Sequence, residues 1–184
     1  MEYRLTTPVT KEMLAPLRAG DTVILSGTVY TSRDAAHKRL CELLDQGGEP
    51  PYPMEGSAVY YVGPTPEREG EVIGAAGPTT SGRMDAYSPR ILDLGQKIMI
   101  GKGARNREVV DAIIRNGAVY LGAVGGAGAV MAASVESAEL VCWEDLGCEA
   151  VRRLQVKDFP LTVIIDSQGN NLYELGPEAY LKSL

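Results

Sequence analysis

Basic side chains follow several segments of the 184-residue sequence that are predicted to be strands. Arg33 follows the first of them, Arg83 closes a polar loop after another, and Lys102 lies between two glycines after a third. Strand ends converge at one edge of an open α/β sheet. Guanidinium groups bind carboxylates through paired hydrogen bonds. Cations on one such rim would therefore suit a small dicarboxylate anion.

The loop at residues 77–85 is a compact polar run that combines glycines, hydroxyl side chains and an arginine. Between glycines it carries three consecutive hydroxyl side chains and then an arginine: Thr79, Thr80, Ser81, Gly82 and Arg83. Hydroxyls and exposed backbone N–H groups can hold a carboxylate that the arginine grips. The alternative is a turn whose hydroxyls cap the next helix.

The segment 31–39 lies where a strand passes into a helix. Arg33 falls in the first helical turn, where a cation opposes the helix dipole, and this position is explained if it meets an anion. The alternative is an exposed arginine paired with Asp34 or a distant acid. Thr31 and Asp34 also have the spacing of a capping box. His37 is the single histidine of the chain, and such a residue is more often structural than functional.

Two glycine-rich runs complete the candidate loops. Lys102 has glycine on both sides, so it is either held close to a ligand or part of a surface turn. The run is not a phosphate-binding P-loop, because Gly103 follows the lysine. Residues 122–128 lack the GxGxxG order and a following acid, which predicts close packing of small residues rather than a dinucleotide site.

Composition excludes several classes of protein. The net charge of −6 and a pI near 4.9 argue against general nucleic-acid binding. The three cysteines (Cys41, Cys142 and Cys148) lack CxxC spacing, so neither a disulfide framework nor a complete zinc site is expected. Cys41 is predicted to be a small core residue. No membrane-spanning run or signal segment is evident, and we expect a soluble, cytoplasmic protein.

The alternation of strands and helices predicts an α/β protein with one domain, 1–184. Strands are predicted at residues 21–27, 57–63, 71–77, 97–100, 118–121, 135–142, 161–165 and 171–174. Helices are predicted at residues 31–46, 89–94, 107–116 and 128–133.

Several runs together resemble the β subunit, or C-terminal domain, of class I iron–sulfur fumarate hydratases. They are residues 26–39, 63–66, 77–85, 100–103, 125–126 and 149–160. The resemblance implies a swivelling β/β/α-type domain with a mixed sheet. It implies a hydro-lyase that interconverts fumarate and L-malate with an α subunit holding the [4Fe–4S] cluster, so that this chain binds no cofactor alone. It further implies a heterotetramer and an isolated chain without activity.

The same resemblance implies roles for individual residues. Thr79 matches the catalytic threonine that takes the C3 proton of malate, and a hydroxyl needs an activating neighbour for this. Arg33, Arg83 and Lys102 match the cations that bind the substrate carboxylates and stabilise the developing aci-carboxylate. Supporting roles fall to Asp34, His37, Thr80, Ser81 and Gly82.

Other functions remain open at this point. L(+)-tartrate dehydratase β subunits share these loops, and mesaconate is a further substrate to consider. Gly82, Asp85 and the Ala35-Ala36 pair resemble the fumarate enzymes more closely. A dicarboxylate-binding module without catalysis would keep the basic rim and need no partner, whereas a brown, oxygen-sensitive partner subunit would support the enzyme.

Overall fold

The computed structural model describes residues 1–124 and 126–183. Gly125, which belongs to one of the runs that carry the resemblance, lies outside the described residues. The strands are β1 (Glu2–Thr6), β2 (Thr22–Thr31), β3 (Ala58–Tyr60), β4 (Ile98–Gly101), β5 (Val119–Gly122), β6 (Val135–Cys142) and β7 (Val151–Ile165). The α-helices are α1 (Lys11–Leu14), α2 (Asp34–Asp45), α3 (Ser88–Asp93), α4 (Arg107–Asn116), α5 (Gly128–Ala133) and α6 (Leu172–Ser183). Short 3₁₀ turns cover Ser81–Met84 and Glu144–Glu149.

Five of the strands close into a small barrel-like sheet. Strands β2, β3, β4 and β5 are parallel neighbours in that order. The long strand β7 runs antiparallel to both β5 and β2 and so joins the two ends. Strand β1 extends the sheet along β2, and β6 extends it along β7. This arrangement confirms the predicted α/β class with a mixed sheet.

The central strands are buried on both faces, which explains their nearly continuous apolar sequences. Along β3 and its extension, Ala58 and Tyr60 face one hydrophobic cluster with Phe159 of β7. The alternate residues Val59 and Tyr61 face a second cluster, which includes side chains of α2, α3 and α4. The period of two along a strand therefore divides the core between the inside of the barrel and the helical layer.

Several predicted elements match the structure and two do not. Helices α4 and α5 and strand β6 have the predicted bounds. The predicted strand 71–77 is wrong: the segment is irregular, and Ala75 exchanges hydrogen bonds with Thr65 instead of pairing in the sheet. The predicted strand 171–174 is also wrong, because the Asn171 side chain accepts the N–H of Tyr173 and the chain enters α6.

The predicted capping box at the start of α2 is wrong as well. Thr31 still belongs to β2, and its hydroxyl bonds the carbonyl of Ala150 at 3.3 Å and the N–H of Arg152 at 2.9 Å. The helix begins at Asp34, with Arg33 in the N-cap position and no hydrogen bond from the Arg33 side chain to the cap. Pairing across the barrel therefore takes the hydroxyl away from the helix.

Candidate functional site

The predicted site loops meet at one edge of the barrel, where the parallel strands β2, β3 and β4 end. Ser32 follows β2 and donates its N–H to the carbonyl of Tyr60 at 3.1 Å. Thr79 donates its N–H to the next carbonyl, that of Tyr61, at 2.7 Å. Lys102 follows β4, and its carbonyl accepts the N–H of Ser81 at 2.8 Å. The backbone thus ties the three loops together, as parallel topology predicts.

Asp34 lies between the two arginines of the predicted site. Its Oδ2 accepts a hydrogen bond from Nη2 of Arg83 at 2.7 Å, and its Oδ1 lies 3.9 Å from Nε of Arg33. Arg33 Nε and Asp34 Oδ1 are both buried without a hydrogen-bond partner in the described part of the chain. The Asp34 carboxylate therefore lies within hydrogen-bond distance of Arg83 and within ion-pair distance of Arg33.

The hydroxyls of residues 79–81 face different surroundings. Thr79 is half-buried, Thr80 is exposed, and the buried Ser81 hydroxyl lies 2.9 Å from the hydroxyl of Tyr120. The Ser81 hydroxyl therefore points into the protein, where its contact with Tyr120 holds the loop in place, and does not face a ligand. Thr80 occupies the N-cap position of the 3₁₀ turn without a capping bond from its side chain, so the alternative of a helix-capping loop finds no support there.

Two further predicted residues lie on the open side of the loops. Gly82 and Lys102 are both exposed. A β-carbon on Gly82 would lie 3.7 Å from the carbonyl oxygen of Ala104, and one on Gly103 would lie 3.6 Å from Cγ2 of Thr80. The loop that carries Lys102 (residues 101–103, the lysine loop) and the loop at residues 77–85 (the hydroxyl loop) therefore pack closely together. The side chain of Lys102 lies at their exposed rim.

His37 lies behind the loops, inside the protein. Its Nδ1 lies 2.8 Å from the Ser32 hydroxyl and 2.9 Å from the Arg33 carbonyl. The ring meets that of Tyr61 edge-on, with the centroids 5.3 Å apart. Burial lowers the pKa of His37 to about 4, so the imidazole is neutral at pH 7. In this position it can hold the turn from β2 to α2 in shape.

An arginine that the sequence did not point to, Arg105, holds the loops from behind by pairing with Asp85. Arg105 is fully buried, and its Nε donates to Oδ1 of Asp85 at 2.6 Å. Its Nη2 donates to the Ser88 hydroxyl at 2.8 Å, and its guanidinium lies between the rings of Tyr61 and Tyr120. The pair joins the end of the hydroxyl loop to the segment before α4. No local pattern reveals it, because the partners are 20 residues apart.

A second unexpected contact involves Glu149, at the end of the 3₁₀ turn before β7. Its Oε1 lies 3.2 Å from Nη2 of Arg33, and its Oε2 accepts the N–H of Ala35 at 3.1 Å. Arg33 is therefore paired with a distant acid, as one alternative predicted, but it is largely buried: its side chain is 17% exposed.

The described residues contain no group of three or more His, Cys, Asp or Glu side chains that could hold a metal ion. Cys41 and Cys142 are half-buried and Cys148 is exposed, so Cys41 is less enclosed than predicted. Among the helices described, none is long and apolar enough to cross a membrane.

Comparison with known proteins gives consistent matches. The family model described as the fumarase C-terminus matches residues 1–176. The chain is 38% identical over 177 residues to fumarate hydratase 2 of Leishmania major, which covers 92% of this chain and 30% of that protein. It is 39% identical over 169 residues to the aerobic class I fumarate hydratase of Escherichia coli K12, covering 89% of this chain and 31% of that protein.

A third relative has nearly the same length as this chain. The chain is 37% identical over 180 residues to the putative L(+)-tartrate dehydratase subunit beta of Methanocaldococcus jannaschii, covering 95% of this chain and 92% of that protein. The chain thus spans about a third of the length of the fumarate hydratases that it matches, and almost all of this subunit.

Proposed function

The chain belongs to the fumarase C-terminus family, and from this membership we propose that it is the β subunit of a class I fumarate hydratase. The enzyme would add water reversibly to fumarate and form L-malate. The observation that carries the proposal is the single carboxylate of Asp34 that reaches both Arg33 and Arg83 beside the hydroxyl loop. Residues 1–184 would act as one domain of this enzyme.

The second component would be an α subunit that carries the [4Fe–4S] cluster. The described part of this chain offers no set of ligands for such a cluster, because its cysteines are not gathered with other metal-binding side chains. The fumarate hydratases that it matches are about three times longer, and the relative of nearly the same length is named a beta subunit. Both facts support a missing partner, which we propose to assemble with this chain as a heterotetramer.

Substrate binding would use the two arginines and the lysine. A substrate carboxylate would take the place of the Asp34 carboxylate at Arg83, whose side chain is half-exposed and so accessible. Arg33 would bind from the buried side, and Lys102 at the rim would add a third positive charge. Paired, charge-assisted hydrogen bonds of this kind fix the orientation of a planar carboxylate.

Proton transfer would use the hydroxyl of Thr79, which would take the proton from C3 of malate. In the part of this chain that the structure describes, no side chain hydrogen-bonds that hydroxyl. A threonine hydroxyl is a weak base without a neighbour that accepts its proton. We propose that the α subunit supplies this neighbour. The arginines would meanwhile stabilise the negative charge that develops on the adjacent carboxylate.

An anaerobic reconstitution tests the proposal. The chain is captured from extracts of its native cells with its partner, and the interconversion of malate and fumarate is followed, with tartrate and mesaconate as competing substrates. We expect turnover of malate that disappears in air and falls at least about 100-fold in Thr79→Val. Thr162→Val, a half-buried threonine on β7, is the matched control and should retain activity. Full turnover in Thr79→Val would refute the assigned base.

The match to a tartrate dehydratase subunit along almost its whole length favours a second candidate, the β subunit of an L(+)-tartrate dehydratase. Both substrates are dicarboxylates, so the same cations would bind either. Activity on tartrate alone in the same assay would select this function. A colourless chain that binds dicarboxylates without a partner and without turnover would instead indicate a binding module.

A further inference from the structure

Glu149 connects two elements that are far apart in the sequence. It ends the 3₁₀ turn Glu144–Glu149, yet both of its oxygens bond the segment where β2 passes into α2. Oε1 lies 3.2 Å from Nη2 of Arg33, and Oε2 accepts the backbone N–H of Ala35 at 3.1 Å. The side chain is 19% exposed, so water screens these contacts only weakly.

The backbone contact replaces a missing helix cap. The first N–H groups of an α-helix lack intrahelical partners, and a side chain in the N-cap position usually accepts one of them. In α2 that position holds Arg33, whose side chain makes no capping bond. Glu149 accepts the N–H of Ala35 instead, and its negative charge suits the positive end of the helix dipole. The same carboxylate thus locates the backbone of the helix start and the arginine side chain.

The Arg33 guanidinium is also confined by Gly63. A β-carbon at Gly63 would lie 2.6 Å from Nη1 of Arg33 and 3.2 Å from the carbonyl oxygen of Cys148. The guanidinium therefore lies against bare backbone on one side and against Glu149 on another. These contacts leave few orientations to an otherwise flexible side chain.

We propose that Glu149 is a positioning residue: it holds the Arg33 guanidinium in the orientation that binds a carboxylate of the substrate. The proposal rests on the function proposed above for Arg33. The proposal predicts the direction in which substrate affinity changes when Glu149 is replaced. If Glu149 orients Arg33, its removal weakens substrate binding. The reason is that a small displacement of the Arg33 guanidinium is enough to break its paired hydrogen bonds to a carboxylate. If Glu149 only neutralised Arg33, its removal would strengthen the binding of a dianion.

The test compares Glu149→Gln with the wild-type chain in the complex with its partner subunit. Glutamine keeps the shape and a carbonyl oxygen for the N–H of Ala35 but loses the charge that Arg33 contacts. We expect KM for malate to rise on the order of tenfold, with a smaller change in kcat. The control is Asp145→Asn, which breaks the 2.8 Å ion pair with Arg39 that joins the same 3₁₀ turn to α2. It should leave KM unchanged.

A second measurement is independent of activity. In the full-length chain, ¹⁵N NMR of the Arg33 guanidinium should show slow rotation about the Nε–Cζ bond in the wild type and in Asp145→Asn, and fast rotation in Glu149→Gln. Unchanged rotation in Glu149→Gln would overturn the positioning contact, whether or not the complex turns over. An active wild-type complex with an unchanged or lower KM in Glu149→Gln would also overturn it and leave the proposed function standing. A wild-type complex that neither hydrates fumarate or mesaconate nor dehydrates malate or tartrate would refute the function alone.

Discussion

The buried pair of Arg105 and Asp85 allows a sharp prediction about stability. The Arg105 side chain is 0% exposed and that of Asp85 11%, with Nε and Oδ1 2.6 Å apart. Oδ2 of Asp85 also accepts the N–H of Asn106 at 2.7 Å. In Asp85→Asn the amide can keep one acceptor oxygen, but Arg105 remains buried and charged without its counter-ion.

The magnitude follows from these contacts. Breaking a buried ion pair by removing one partner costs about 3–5 kcal/mol, because the remaining charge stays uncompensated. The retained carbonyl oxygen and the hydrogen bond from Arg105 to the Ser88 hydroxyl moderate this loss. We expect Asp85→Asn to lower the free energy of unfolding by about 3 kcal/mol, a large share of the roughly 5–15 kcal/mol that is typical of a folded protein.

Urea unfolding followed by far-UV circular dichroism measures this difference. The matched control is Asp93→Asn, which breaks the pair with Arg115 at the surface, where both side chains are about half exposed. It should cost no more than about 1 kcal/mol. Replacing both partners, as in Asp85→Asn with Arg105→Met, should recover part of the loss, since no buried charge then remains. A change in Asp85→Asn no larger than in the control would refute the assigned role of the pair.

Three further predictions concern a histidine, a glycine and the cysteines. Burial lowers the pKa of His37 from 6.5 to about 4. The contribution of this histidine to the free energy of unfolding is therefore fully present above pH 6.5. Between pH 6.5 and 4 the free energy of unfolding falls by up to about 1.4 kcal/mol per pH unit, because only the unfolded chain binds the proton. Gly63→Ala, whose β-carbon would meet Arg33 Nη1 at 2.6 Å, should raise KM for the dicarboxylate several-fold. Burial raises the pKa of Cys142 to about 11, so iodoacetamide should alkylate the exposed Cys148 first at neutral pH.

Urea unfolding, steady-state kinetics and alkylation measure these three effects. Urea titrations at several pH values between 4 and 6.5 give the free energy of unfolding as a function of pH. This free energy should depend less steeply on pH in His37→Gln than in the wild type, and an unchanged dependence would contradict the assignment to this histidine. Gly176→Ala, whose β-carbon would meet nothing within 4 Å, should leave KM as it is. Peptide mass spectrometry after brief alkylation identifies the modified cysteine, and equal labelling of Cys142 and Cys148 would refute the predicted order.

Local sequence predicted those elements whose stability depends on their own neighbours. Helix α4 has a capping asparagine, an apolar stripe and a terminal glycine with positive φ, and its bounds were predicted correctly. The short apolar runs of β4 and β5 end at glycines and were placed to within a residue. Because parallel strands end at one edge, the positions of Arg33 and Lys102 also followed from sequence.

Pairing over long distances could not be predicted in this way. In the start of β7, residues 151–159, the apolar residues recur at uneven intervals, which is not the period of two that predicts a strand. The segment becomes a strand because β2 and β6 lie on either side of it. Residues 71–77 are apolar enough for a strand, but the backbone of Ala75 is bonded to Thr65. In both segments the partner decides the conformation, and the partner lies elsewhere in the chain.

The sequence by itself therefore determined the types of residue at the site and the loops that carry them. The tertiary structure decided how those residues are held: Asp34 between two arginines, Glu149 as the distant cap of α2, and Arg105 with Asp85 beneath the hydroxyl loop. The physical reason is that helix and turn propensities act over a few residues, whereas ion pairs and caps need only proximity in space, which the closure of the barrel provides.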